Sequence, residues 1–544
     1  MSSILTSTIT GINAIKILIN NTANKIINPK YKDEIKQNIF IEDTVDEPNF
    51  NAGVRIKKVY DDYNDFIKEE KRKISERVQD EQTKIEEYLK LEDLFGEKSS
   101  IFTLLINQLY SSIENDVVNN NVNIFNENIE KNLKTIISEL KNFDEKLSFL
   151  EKDVKESITE KIKKANILIN QIYNTNIDIR FFPTAQLPNR VDSFIDKRDQ
   201  LIDELNDIIG VKVVKENNSF KVCLNNGMCI IDDHNKQNLI ALTSSTDDKY
   251  ISVGYWDDNE KTLKKMEHMI PSSSLGALLM FRREDLQNAR NKIGQLTINF
   301  ADSINECHTL GYDILGNLGK QVFNISNPEI ISSSTNQSYL PTSIKWVSTS
   351  DAQDTNYVVF LKNNHWTVTR LRDRSVVESD IYQQDNNTYI TFDGIEFKIE
   401  GDNAEGNIYM IKPYSKTLNQ LELLIVKNDR FSISSSNDLS QMNKNNAIKI
   451  HHLNQEKIVN KKETLYESYR KFLKSISYKC NDLEEKVPFK RNMIEILKNK
   501  KLSESDNFHE NYQNLSYEQK CYLANVKILK MAETIFNEIV DCYS

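Results

Sequence analysis

The chain has 544 residues, 39% of them hydrophobic and 28% charged, and 80 acidic against 70 basic side chains leave a net charge of -10. At about 150 residues per domain this length predicts three or four domains, while so much charge excludes a membrane protein and the negative balance excludes nucleic acid as a main ligand. Only 14 glycines and 9 prolines occur, against about 7% and 5% in average proteins, which excludes collagen-like, glycine-linker and proline-rich architectures.

Residues 3 to 28 read as an amphipathic helix. Leu5, Ile9, Ile12, Ile19, Ala23 and Ile26 fall on alternating steps of four and three, with Lys16 the one polar interruption, which is the spacing of a coiled-coil seam. The segment lacks a basic start and an A-x-A cleavage site, and its apolar runs are short. It is therefore expected to be neither a cleaved signal nor a membrane span. Asn28-Pro29 should stop the helix, and 29 to 55, with Pro48 and Gly53, read as irregular. From Tyr60 a long helical pattern follows through Ile67, Ile74, Val78, Ile85 and Tyr88. Its mixed-sign run, Lys68-Glu69-Glu70-Lys71-Arg72-Lys73, reads as a solvated face.

A second seam, Ile129, Leu133, Ile136, Leu140, Phe143, Leu147, Leu150 and Val154, slips by one residue to Ile158, Ile162, Ala165, Ile169 and Ile172. At 1.5 Å per residue it predicts a rod of about 65 Å. A helix from about Asp192 to Ile209 is closed by Gly210. Short strands follow in VKVV, FKVCL and MCII around the turn Asn225-Asn226-Gly227, and then in KYISVGYW. Helix returns from about Ser274 to Leu310, with Leu278, Phe281, Leu286, Ile293, Leu296, Phe300 and Ile304 on its apolar face. Residues 338 to 426 are β-rich, with hairpins around Asn363-Asn364 and Asp393-Gly394. Residues 432 to 447 read as a linker or loop. Leu465, Tyr469, Phe472, Ile476 and Leu483 form a further seam that Pro488 should break or kink. The last helix, about 514 to 541, carries Tyr522, Val526, Leu529, Phe536 and Val540 on one stripe.

No catalytic or metal site is expected. His451-His452 and His509-Glu510 lack ligand partners at helical spacing, and no nucleophile elbow or phosphate loop occurs. Asp232-Asp233-His234 reads as a solvated turn rather than part of a triad. The six cysteines, Cys223, Cys229, Cys307, Cys480, Cys521 and Cys542, are expected to be free thiols. Trp256, Trp346 and Trp366 are expected inside the β blocks. Terminal helices with exposed apolar stripes meet water unfavourably until they find partners.

These ends resemble a known family. Gly11-Ile12-Asn13-Ala14, with Asn20, Asn24, Ile26 and Asn28, resembles the N-terminal signature of bacterial flagellar axial proteins, the rod, hook and hook-associated subunits. Asn514-Leu515, Gln519, Tyr522-Leu523-Ala524-Asn525 and Ile535-Phe536 are similar to their C-terminal signature. Inside, Asp196-Lys197-Arg198-Asp199-Gln200-Leu201-Ile202-Asp203-Glu204-Leu205, running to Gly210-Val211, resembles the D-x-R-D-Q-L-x-x-E-L segment of the hook-associated members at the hook–filament junction. Ser274-Leu275-Gly276, Phe281-Arg282, Asp285-Leu286, Leu296 to Asn305 and Gly311 follow the same members' next helix. Trp366-Thr367-Val368-Thr369-Arg370-Leu371 and Phe392-Asp393-Gly394 match their hairpin region. The resemblance covers nearly the whole chain in order. Departures are Lys25 in place of an Asn, Ile27 in place of a small residue, and Tyr31-Lys32 without the glycine of a Gly-Tyr-x-Arg turn.

The resemblance implies a structural subunit rather than an enzyme, with no cofactor and no metal. Such a subunit is secreted through the flagellar type III export channel, escorted by an export chaperone. It forms a ring of identical copies between the hook protein and hook-associated protein 3, with paired terminal helices in an inner tube. The expected fold is α+β and elongated, with long coiled-coil-like helices from both chain ends and inserted β-rich outer domains. The expected divisions are an axial helix and irregular segment (1–55), a helical rod domain (56–210), a β-rich insertion (211–272) and a helix returning to the rod (273–312). An outer β-rich domain (313–431), a linker (432–460), a rod helix (461–500) and a C-terminal axial helix (501–544) complete them. The expected assembly interface is Leu5, Ile9, Ile12, Ile19, Ala23, Ile26, Tyr522, Val526, Leu529, Phe536 and Val540. A cytoplasmic coiled-coil scaffold built on 129 to 172 is the alternative reading, and a hydrolase carried on the outer β blocks is a third.

Overall fold

A computed structural model describes residues 2–27, 38–44, 53–59, 62–95, 100–119, 122–181, 188–216, 219–243, 251–258, 260–270, 272–313, 315–333, 336, 342–363, 365–385, 387–401, 405–425, 431–437, 443–503 and 508–543. In chain order the elements are α1 (Ser2–Ile27), β1 (Asn38–Thr44), β2 (Gly53–Val59), α2 (Asp62–Phe95), α3 (Ser100–Asn119), α4 (Val122–Phe181) and α5 (Pro188–Ile209). Then come β3 (Val211–Glu216), β4 (Ser219–Leu224), β5 (Cys229–Ile231), β6 (Ile240–Thr243), β7 (Ile251–Asp257), β8 (Thr262–Lys265), α6 (Ser274–Met280) and, after a π-helical turn at Phe281–Asp285, α7 (Leu286–Thr309). The strands β9 (Phe323–Asn324), β10 (Glu329–Ser332), β11 (Thr342–Trp346), β12 (Tyr357–Lys362), β13 (His365–Arg370), β14 (Val376–Val377), β15 (Asp380–Gln384), β16 (Asn387–Phe392), β17 (Ile395–Glu400) and β18 (Ile408–Lys412) follow. The chain ends with α8 (Thr417–Gln420), β19 (Glu422–Leu423), α9 (Asn445–His452), α10 (Leu465–Ser503) and α11 (Phe508–Tyr543). The fold is α+β, with long helices at both ends and antiparallel sheets inserted between them.

Two compact units result. One comprises Met1–Gln79, Lys164–Asn238 and Lys486–Ser544, the other Asp80–Lys163 and Leu239–Glu485. In the first, α1 packs against α11 and β2, and β1 pairs antiparallel with β2 from Asn38↔Val59 to Thr44↔Gly53. Residues 29 to 55 therefore include β1 and the start of β2, which the irregular reading missed, while 28–37 and 45–52 lie outside the described residues. Helix α5 buries Ile202, Leu205, Ile208 and Ile209. It ends where Gly210 takes a left-handed φ of 66° and returns its N–H to the Asn206 carbonyl at 2.9 Å. The buried Asn206 side chain completes this cap by accepting from the Val211 N–H at 3.1 Å and donating to the Arg72 carbonyl at 2.8 Å.

The β3-β4-β5 sheet follows directly. Here Cys223 and Cys229 stand in register across β4 and β5 with Cα atoms 3.8 Å apart and are joined by a disulfide. The expectation of six free thiols is corrected by a turn tight enough to place two of them opposite. Cys307, Cys480 and Cys521 are free, and the Cys542 side chain lies outside the described residues.

In the second unit, α7 is buried on several sides at once. Its apolar face (Leu286, Ile293, Leu296, Phe300, Ile304) and its polar residues Asn291, Gln295, Thr297 and Asn299 are all inaccessible. Gln295 Nε2 donates to the Ala352 carbonyl at 2.6 Å and to Asn460 Oδ1 at 2.9 Å, while Asn305 Oδ1 accepts from the Val322 and Phe323 N–H groups at 2.8 Å each. A five-stranded sheet ordered β10-β18-β12-β13-β14 and a four-stranded sheet ordered β11-β17-β16-β15 share one core. Strict alternation in β16 and β17 sends Ile390, Phe392, Ile395, Phe397 and Ile399 into it against Tyr357, Val359, Tyr409 and Ile411. The Asp393-Gly394 turn has φ of 42° and 75°, and a Cβ on Gly394 would sit 1.9 Å from the Ser348 carbonyl oxygen, so only glycine fits there. A third sheet is β6-β7-β8.

Other expectations change as well. Helix α10 is not broken at Pro488, which lies inside it. Of the segment read as a linker, 432–437 and 443–460 hold buried Ser432, Ile433, Ser434, Ala447, Ile450, Leu453 and Val459, and α9 packs on α3 and α7. Polar composition hid this: Asn446 Nδ2 donates to the Ser432 carbonyl at 2.9 Å, and the Ser432 N–H donates to His308 Nε2 at 3.0 Å. Trp346 and Trp366 pack on the sandwich core as expected, but Trp256 is exposed. The seam of α4 and its slipped continuation are buried throughout one unbroken helix.

Arg290 on α7 is buried between Asp144 and Glu151 of α4, with Nε bonded to Glu151 at 3.1 Å and Nη1 to Asp144. Burial alone would lower its pKa, and the two carboxylates outweigh that and raise it. Arg290→Ala strands two carboxylates and is expected to destabilise this unit by about 3–5 kcal/mol. Thermal unfolding followed by circular dichroism measures the loss.

Candidate assembly interface

The two terminal helices run in opposite senses along each other. Gly11 faces Asn525, whose Oδ1 would lie 3.6 Å from a Cβ built on the glycine, and eleven residues later the Thr22 hydroxyl donates to Glu518 Oε1 at 3.0 Å. On α1 the buried positions are Thr8, Ala14, Ile15 and Thr22, with Ile12, Ile19 and Ala23 half-buried. Thr8, Ile12, Ile15, Ile19 and Thr22 keep steps of four and three, so the contact has a seam's spacing, but its frame is not the one counted from apolar residues. The count chose Ile9, which is 43% exposed, and placed Lys16 on the seam, where Ile15 belongs. Two threonines fill the alternate slots, and their hydroxyls make burial tolerable by bonding, as Thr22 does. A rule that counts only apolar side chains misses them.

On α11 the predicted Tyr522, Val526 and Leu529 are half-buried. Leu5, Ile26, Phe536 and Val540 lie in the two helices, but their side chains fall outside the described residues. The other side of α11 carries a second apolar set that the single-stripe reading passed over. Tyr517, Ile528 and Met531 are 69%, 47% and 65% exposed. At 100° per residue they span about 60° of the helix, roughly opposite the arc of Tyr522, Val526 and Leu529. Phe489, Met493 and Ile496 on α10, spaced i, i+4, i+7, are exposed as well.

In the same unit, α2 and α5 are held by a polar ladder. Lys68 Nζ reaches Asp199 Oδ2 at 2.7 Å, Arg72 Nε reaches Asp203 Oδ1 at 2.6 Å, Lys71 Nζ reaches Asp203 Oδ2 at 3.2 Å, and the Ser75 hydroxyl donates to Asp207 Oδ1 at 2.7 Å. The basic run of α2 is thus not wholly a solvated face: Arg72 is buried and Lys68 is mostly so, because α5 presents carboxylates at matching intervals. Arg198 lies 3.6 Å over the Phe220 ring and bonds Asn176 Oδ1 at 3.1 Å. Asp232 closes its own turn by accepting from the His234 and Asn235 N–H groups at 2.7 and 2.6 Å, and Asp233 pairs with Arg180 at 2.8 Å. Among the described residues no group of three or more His, Cys, Asp or Glu is placed to hold a metal, and no helix is long and apolar enough to cross a membrane.

Long helices at both chain ends with antiparallel sheets inserted between them, and a first helix packed on the last, define the class of fold. The family model described as flagellar hook-associated protein FlgK helical domain matches residues 88–323, and the one described as flagellar hook-associated protein 1, D2-like domain, matches 331–413. Flagellar hook-associated protein 1 of Buchnera aphidicola subsp. Schizaphis graminum is 87% identical over 544 residues, covering 100% of both chains. That of Salmonella typhimurium is 25% identical over 554 residues, covering 99% of this chain and 100% of its own. The solved structure of the flagellar hook junction protein FlgK from Burkholderia pseudomallei shares the fold, with a TM-score of 0.71 at 16% identity over 80% of this chain and 100% of that one. The chain belongs to the flagellar hook-associated protein 1 family and is an exported component of the flagellum at the hook–filament junction. The scaffold alternative is not favoured.

Two carboxyls of the ladder titrate in opposite senses. Burial pushes Asp199 up, but Lys68, with Arg72 and Arg198, outweighs it and leaves the carboxyl below the usual range. Burial pushes Asp207 above it, and the Ser75 hydrogen bond offsets only part. Asp199 therefore adds stability that is present above the unfolded value of about 3.9 and lost as pH falls through its lower folded value. Asp207 adds stability that is fully present below about pH 3.9 and is lost as pH rises through its higher folded value. Asp199→Asn is expected to cost about 1 kcal/mol at neutral pH and nothing in strong acid. Asp207→Asn should raise the unfolding midpoint at neutral pH relative to its effect in acid. Thermal melts of both variants at about pH 3 and pH 7 distinguish the two signs.

Proposed function

We propose that the chain is a non-catalytic junction subunit whose copies assemble through their terminal helices. Within each copy α1 and α11 pair as a coiled coil, and the outward face of α11 joins neighbouring copies into a ring. The ring stands between the hook protein and hook-associated protein 3, and an export chaperone holds the apolar ends of the chain beforehand. One observation carries this reading: α11 has apolar residues on two opposed faces, and α1 covers only one of them. Exposed aromatic and aliphatic side chains on a helix are unfavourable in water unless a partner covers them, at about 1.5–3 kcal/mol for each large side chain buried. The family is one of structural flagellar proteins, which supports a role without catalysis.

The test separates folding from assembly. Ile528→Glu with Met531→Glu changes only the outward face, so the monomer should keep its helical circular dichroism and thermal midpoint. The unchanged protein should cap isolated hook structures in electron micrographs, and the double variant should not. Full capping by the double variant would disprove the role given to this face.

A further inference from the structure

Cys223 and Cys229 occupy unlike surroundings. Cys223 is 4% exposed on β4, the central strand of its sheet, flanked by buried Val222 and Leu224, whereas Cys229 is exposed at the first position of β5. The turn between them, Asn225-Asn226-Gly227, is closed by the Gly227 N–H on the Leu224 carbonyl at 2.9 Å. It also contacts α2, where Asn225 Nδ2 donates to Glu76 Oε1 at 3.0 Å. Joining the two sulfurs ties the base of the turn that makes this contact.

We propose that this pair is a thiol–disulfide exchange site, closed by a small-molecule disulfide once the chain has left the cytosol, with Cys229 reacting first and Cys223 second. A cytosolic chain keeps its thiols reduced, and this family's members are exported, so the dithiol is the form that is made and the disulfide the form that matures. The Cys229 thiolate attacks one sulfur of the small disulfide, expelling one thiol and forming a mixed disulfide. Cys223, after losing its proton to solvent, attacks Cys229 Sγ and expels the second thiol. Two protein thiols lose two electrons in total, the small disulfide gains them and leaves as two thiols, and no other reagent is consumed. Access sets the order: a dissolved disulfide reaches exposed Cys229 and not buried Cys223, whereas Cys223 needs to reach only a sulfur across one strand pair. The inference is independent of how the terminal helices assemble.

The full chain, purified reduced and exposed at neutral pH to oxidised glutathione, is digested after alkylation and read by mass spectrometry. Both cysteines fall in one tryptic peptide, Val222–Lys236, which should lose two hydrogens. Cys223→Ser should trap one glutathione on Cys229, in at least about tenfold excess over that found on Cys223 in Cys229→Ser. Cys223→Ala repeats the trap with an apolar replacement, and circular dichroism confirms that each variant is folded. Two alkylated thiols in the unchanged protein after oxidation would overturn the site, and equal adducts in the two variants would overturn the order.

Discussion

The meeting of the two chain ends is the constraint that the rest of the structure has to satisfy. The bond between Thr22 and Glu518 joins residues 496 positions apart, and closing a flexible loop of that length costs about 5–6 kcal/mol in chain entropy alone. A seam of threonines and a few isoleucines cannot meet that cost and the ordering of two long helices as well. The segments between the ends therefore have to fold first and deliver α1 and α11 to each other. The first unit is accordingly assembled from three separate stretches of chain. Its interior joints, the α2–α5 ladder and the Asn206 cap, are closer in sequence than its termini and correspondingly cheaper to close.

Much of the helical framework was legible because period and burial coincide. Every apolar seam residue of α4 is buried, and the one-residue slip after Val154 costs the helix nothing, since a packed helix needs a continuous stripe rather than a fixed frame. The sandwich hairpins were legible from Asp393-Gly394, where sterics admit little else. What sequence reading missed is of one kind, polar residues with an inward role. Thr8 and Thr22 shifted the frame of α1, Ser432 and Asn446 disguised a buried segment as a linker, and Arg72 looked solvated until its acidic partners on α5 came into view. For Thr22 and Arg72 the partner that satisfies the buried group is remote in sequence, at Glu518 and Asp203.

The interface itself was half legible. Tyr522, Val526 and Leu529 are half-buried, and a single stripe describes a helix with one neighbour, whereas α11 carries apolar residues on two sides. The internal motif running from Asp196 to Leu205 is similarly explained by its partners: Asp199 and Asp203 hold lysines and an arginine of α2, and Arg198 lies over Phe220. That motif joins α5 to α2 and does not form a site of its own.

Because α1 and α11 run in opposite senses, the first turn of one and the last turn of the other point to the same end of the pair. Tension drawing those two tips apart would act on one lateral contact at a time, so the pair would peel open progressively instead of resisting as a whole. Tension directed along the helix axes in opposite directions would instead load every contact together. A subunit with this geometry is mechanically anisotropic, soft to peeling from its termini and stiff to sliding.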